Sequence, residues 1–189
     1  MNTLMRQLTK RLLVLWAVMA GAMVAYIPVV WLAVSNLRST KAPSHLVHGY
    51  LPLLGLAGTI CSVLAIVQYK HFAKEHKVAA KIERTGASPE SYFRNPKTGA
   101  LDKHAAVILP GLSAQDLRLL HVPIVLQTPL ITGLALNNVT AFLGVCYSLS
   151  EQSYGSVIAF VILGLLSSLF IYPTETRVAA VIRGIGQDR

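Results

Sequence analysis

Four long apolar runs divide this chain, and nearly all of its positive charge falls on one side of them. The runs span residues 12–35, 47–68, 119–149 and 154–172. Each can cross a hydrocarbon layer of about 30 Å, which takes about 20 helical residues at roughly 1.5 Å apiece. The expected fold is all-α: a polytopic membrane protein with four transmembrane helices in two antiparallel hairpins. A soluble domain of this length could not hide so much apolar surface, in a chain that is 53% hydrophobic.

The connecting segments carry Lys and Arg unequally. The first holds Arg6, Lys10 and Arg11. The third holds Lys70, Lys74, Lys77, Lys81, Arg84, Arg94, Lys97, Lys103 and Arg118, and the fifth holds Arg177, Arg183 and Arg189. Against those 15, the second segment holds only Arg38 and Lys41, and the fourth holds none. Lys and Arg are retained on the cytoplasmic side. Both termini and the middle segment are therefore expected in the cytoplasm of a bacterial inner membrane. The net charge of +9 follows from that topology. It comes with no basic-aromatic interleaving and no groove-reading motif, so no nucleic-acid partner is expected.

Arg6, Lys10, Arg11 and the small triplet Ala20-Gly21-Ala22 raise the question of a signal peptide. The apolar run continues through Val34, far beyond an h-region of about 7–15 residues, so an uncleaved helix is expected. The chain reads as a single membrane domain over 1–189. The second span, 47–68, carries a basic helical extension over 69–84. An irregular cytoplasmic loop follows over 85–118, with one short element near 103–109. A cytoplasmic tail occupies 173–189, and its stretch 178–182 is suited to the membrane surface. Ser113 with Asp116 three residues on is a variant capping box, so the third helix is expected to start before its span. Pro28, Pro123 and Pro129 are expected kinks. Trp16 and Trp31 stand near the ends of the first span, where indoles favour the interface.

Lys70, Lys74, Lys77 and Lys81 recur every three or four residues and are expected along one helical face, a solvated face that pins the helix at the headgroups, with binding to an acidic partner as the alternative; contact with anionic lipid follows from the first reading. Asn137 and Asn138 fall near the bilayer midplane, where a side-chain amide must face another helix or a cavity. Gly133, Asn137 and Ala141 are spaced by four, forming a small-and-polar stripe, with Thr140, Gly144 and Ser148 as a second stripe beside it. Small residues let helices approach, and an amide or hydroxyl then bonds across. The expected role of these residues is packing, with a transport pathway as the alternative. No Asp or Glu lies inside any span, which weighs against proton or sodium translocation. Ala17, Gly21 and Ala25 form another small-residue face, and Gly55 and Gly58 hint at a third.

His45 and His48 are the only histidine pair at a plausible metal spacing. No third ligand accompanies them, and no metal or other cofactor is expected. Cys61 and Cys146 both lie inside spans and read as small apolar packing residues. No serine or threonine is matched with a histidine and an acid, so no catalytic set emerges.

The stretch 131–149, ITGLALNNVTAFLGVCYSL, resembles the outer helix of proteolipid (c-type) subunits of rotary ATPases. Asn137 and Asn138 stand where that family carries its ion-binding acid. The resemblance implies close-packed hairpins and self-association. The overall layout is similar to that of bacterial four-helix membrane proteins. The expected function is therefore a non-enzymatic membrane protein, either a homo-oligomer or an accessory subunit of a larger complex. A small transporter using the third span is second, and a membrane-bound enzyme or electron carrier is third.

Overall fold

A computed structural model describes residues 2–37, 51–85, 89–95 and 98–187. His45, His48, Arg38 and Lys41 lie outside the described residues. Eight α-helices are described: α1 (Asn2–Leu37), α2 (Leu51–Phe72), α3 (Glu75–Thr85), α4 (Lys103–Ile108), α5 (Ala114–Leu119), α6 (His121–Glu151), α7 (Gly155–Phe170) and α8 (Glu175–Gln187). Four helical stretches are long and apolar enough to cross a membrane, and the fold is all-α. The chain is a multi-pass membrane protein.

The expected single domain divides into two compact units. One, here the span unit, comprises Leu15–Lys70 and Leu130–Tyr172. The other, the basic unit, comprises Met1–Val14, His71–Pro129 and Pro173–Arg189. It holds 14 of the 17 Lys and Arg residues. Helices α1, α2 and α6 contribute residues to both units.

In the span unit, side-chain contacts define the directions of the helices. Trp16 meets Tyr172 edge-on at 4.8 Å, and Met23 lies against Gly164. As α1 rises, its α7 partners fall, so the two run antiparallel. Asn137 pairs with Ser168 and Gly144 with Phe160, so α6 and α7 are antiparallel too. Thr140 meets Gly58 while Gly133 meets Ala65, so α2 also opposes α6. Helix α6 is the most enclosed: 56% of the apolar window in its stretch is buried, against 17% for α1 and 22% for α2. Ala20, Met23, Val30, Val34, Ala141, Val157 and Val161 form the apolar core between α1, α6 and α7. Large apolar side chains such as Val18, Leu56, Ile60, Phe142 and Ile162 remain outside, as a bilayer requires.

The basic unit departs furthest from expectation. Helix α1 begins at Asn2, well before the span expected from residue 12. The cause is a leucine stripe: Leu4, Leu8 and Leu12 are spaced by four and all buried. Leu4 and Leu8 pack on Phe93, Ala105, Leu109 and Leu120. The segment expected as an irregular loop therefore has its own core. A 3-10 turn (Pro89–Phe93) leads to an antiparallel bridge between Arg94 and Leu101. Gly99 closes that turn at φ +68°, a conformation that favours glycine. Asp102 caps α4, and Ser113 caps α5 by accepting the Asp116 N–H.

The basic extension does not continue the second span as one helix. The chain turns at Ala73–Lys74, and α3 starts afresh at Glu75. No Gly or Pro causes this break. Val78 and Ile82, spaced by four, are buried on an otherwise charged helix. The Lys74 carbonyl accepts from the Lys77 and Val78 N–H groups, both at 3.0 Å, and Glu75 complements the helix N-terminus. The tail is likewise a helix, α8, with Val178 buried. Gly184 does not break it. A Cβ there would fall 2.0 Å from the Glu75 carboxyl carbon, so the absent side chain is what admits Glu75 against α8.

Pro123 falls in the first turn of α6, where a missing N–H leaves no helix bond unmade, and the turn at Leu120 that separates α5 from α6 lies three residues before it. Pro129 and Pro28 lie inside α6 and α1, which run through them without interruption.

Candidate functional site

The polar residues of the third span sit on α6 inside the span unit, where Asn137 and Ser148 turn to α7, Asn138 to α1 and Thr140 to α2. Asn137 is fully buried. Its Nδ2 donates to Ser168 Oγ at 2.8 Å, and its Oδ1 accepts from Ser167 Oγ at 2.6 Å. Both serines also lie within reach of the Gly164 carbonyl, at 3.0 and 2.8 Å. Gly164 allows this close approach: a Cβ there would fall 3.1 Å from the Asn137 carbonyl oxygen and 3.0 Å from Met23 Sδ. The indole N–H of Trp16 donates to the Ser168 carbonyl at 3.0 Å, tying α1 to the same point.

Asn138, one residue on, is turned away by the helical advance of about 100° and is only half-buried. Its Nδ2 donates to the Met19 carbonyl of α1 at 3.2 Å and to the Leu134 carbonyl at 3.0 Å. Thr140 faces α2: its hydroxyl donates to the Gly58 carbonyl at 3.0 Å or meets Ser62 Oγ at 3.1 Å. Ser148 Oγ accepts the Val157 N–H at 2.7 Å, so a side chain of α6 caps the first turn of α7. Gly133 lies against Ile171 and the Ala65 carbonyl, and Ala141 lies in the apolar core. These are short, mutually satisfied bonds with no charge among them. They join helices, and they offer no titratable group that could pass a proton.

Gly164, Ser167 and Ser168 are the partners that sequence reading did not single out. Their signal was present: a small residue followed at three and four positions by hydroxyls, inside an apolar run.

The four lysines do not share one continuous face, because the break at Ala73–Lys74 separates them. Lys70 ends α2, Lys74 lies in the break, and Lys77 and Lys81 are on α3. Lys70, Lys74 and Lys81 are exposed, while Lys77 contacts His71 Nε2 and lies over the Phe72 ring at 5.4 Å. Cys61 and Cys146 are free, half-buried thiols. Among the described residues no three His, Cys, Asp or Glu side chains gather as a metal site. No protein-family model matches this chain, and no curated protein or solved structure matches it either.

Proposed function

We propose that this chain is a non-enzymatic integral membrane protein that works by association, with itself or as an accessory subunit of a larger membrane complex. The observation that carries the reading is the state of two small-residue faces. The α6 face is used up within the chain. The α1 face of Ala17, Gly21 and Ala25 is exposed, and a Cβ built on Gly21 would meet nothing within 4 Å. A small-residue face on a lipid-exposed helix is the surface that a second helix can approach closely. Transport along the α6 strip is the weaker reading, because its amides and hydroxyls already have partners inside the chain.

Gly21→Leu tests this directly, since the open space around Gly21 lets the monomer accept the change. Dissociation of the assembly in mild detergent should become on the order of tenfold easier, corresponding to about 1–2 kcal/mol of lost helix contact. Native mass measurement would read it. A wild-type protein that is monomeric in detergent and also migrates alone when extracted from its native membrane would sink the reading.

We further propose an inner-membrane location with both termini cytoplasmic. Two observations support it: the 15-to-2 division of Lys and Arg, and the gathering of the first, third and fifth segments into one compact unit. A reporter fused after Arg189 should be active only in the cytoplasm, and one placed at Ser153 only outside it. The opposite pattern would reverse the threading. Lys70, Lys74, Lys77 and Lys81 are then set to meet anionic headgroups, at about 1 kcal/mol per charge near such a surface. Changing all four to Gln should reduce the anionic lipid that co-purifies. Undiminished lipid would overturn the headgroup role of these lysines.

A further inference from the structure

The basic unit contains a groove of about 430 Å³ between the first turns of α1 and helix α8. That volume is within the range of pre-formed small-molecule sites. Its lining is divided by chemistry. Met5, Val178, Ala179 and Ile182 make it apolar, while Arg6 and Glu175 add one charge of each sign. Arg6 Nε stands 3.6 Å from Glu175 Oε1, and the two side chains are 69% and 60% exposed. So exposed a pair contributes little to folding, and both groups are free to turn to a ligand.

The pair sets the ligand's charge pattern. A guanidinium suits a phosphate diester, but the adjacent carboxylate repels a purely anionic group and accepts from an ammonium. The apolar lining calls for hydrocarbon on the same molecule. Depth along the chain is consistent with a membrane surface. Arg6 precedes Leu12, where the first apolar run begins, by about 9 Å of helix, and Glu175 follows closely on Tyr172, where the fourth run ends. We infer that the groove binds a zwitterionic phospholipid with a primary ammonium, that is, a phosphoethanolamine headgroup. Arg6 holds the phosphate, Glu175 accepts from the ammonium, and the glycerol end lies on Met5, Val178, Ala179 and Ile182. This site is separate from the α1 association face and does not depend on it.

The test is native mass measurement in mild detergent of the full chain with Lys70, Lys74, Lys77 and Lys81 all changed to Gln, so that the lysines add no anionic-lipid binding of their own, with phosphatidylethanolamine, phosphatidylglycerol or phosphatidylcholine added at matched concentrations. This parent chain should retain phosphatidylethanolamine at severalfold lower concentration than the other two, and each further variant is made in it. Glu175→Gln should abolish that preference and raise retention of phosphatidylglycerol, because the repelling carboxylate is gone. Arg6→Gln should weaken both. Ala179→Leu, at an exposed position, should fill the groove and weaken all three. The start of α8 survives Glu175→Gln because Thr174 Oγ1 still accepts the Arg177 N–H, and circular dichroism would verify this. The parent chain retaining phosphatidylglycerol as well as phosphatidylethanolamine would overturn the proposal, as would an unchanged preference in Glu175→Gln. Soluble phosphoethanolamine competing as strongly as the lipid would instead assign the groove to a free metabolite.

Discussion

Asn137→Leu should lower the stability of the detergent-solubilised protein by about 2–4 kcal/mol, whereas Asn138→Leu should cost less than about 1 kcal/mol. The difference comes from what surrounds each amide. Asn137 is fully buried, and α7 passes so close to it that a Cβ on Gly164 would fall 3.1 Å from the Asn137 carbonyl oxygen. Leu has the same branching, but its tetrahedral methyl groups are bulkier than the planar amide and would have to force α7 away, at about 1–3 kcal/mol for overpacking. Two interhelical hydrogen bonds go as well, each worth roughly 0.6 kcal/mol inside a membrane. The loss is bounded, because Ser167 and Ser168 can both fall back on the Gly164 carbonyl. Asn138 is half-buried and bonds only carbonyls, one of them on its own helix. Thermal unfolding of the two variants in one detergent would separate them. If Asn137→Leu kept its stability but lost an ion flux measured in liposomes, packing would give way to transport as the role of this residue.

Gly144→Ala should also destabilise, by about 1–3 kcal/mol, although alanine is the better helix former by about 1 kcal/mol. A Cβ at Gly144 would stand 2.4 Å from Phe160 Cβ and 2.9 Å from its Cγ. The Cβ is fixed to the α7 backbone, so no side-chain rotation moves it away and the helices must separate. Gly58 is the control. Its added Cβ would also meet Phe160, but at Cε1, 2.6 Å away and at the free end of the ring. Gly58→Ala should therefore cost markedly less than Gly144→Ala in the same thermal assay. Equal losses would mean that α6 and α7 are not held as closely as these distances require.

The four spans, the uneven charge and the polar strip on the third run were all legible in the sequence, because each depends on local composition and spacing. A run of about 20 apolar residues has few options but to cross a bilayer as a helix. The spacing of Gly133, Asn137 and Ala141 places them on one helix face whatever surrounds it. The Ser113 cap and the short helix near residues 103–108 were also local signals. What spacing alone does not provide is the identity of the partner across the gap. That Asn137 meets Ser167 and Ser168, and Thr140 meets Gly58 and Ser62, depends on which helices are neighbours and in what register. The break at Ala73–Lys74 had no local signal: every residue from 69 to 84 tolerates a helix, and the bend follows from burying Val78 and Ile82. The compact unit over the middle segment was hidden for a related reason. Its core is assembled from Leu4, Leu8, Phe93, Ala105, Leu109 and Leu120, and no short window of sequence contains enough of these residues to reveal it. Periodicity determines which side of a helix is apolar. Only the tertiary structure decides what covers that side, because burial is shared between residues far apart in the chain.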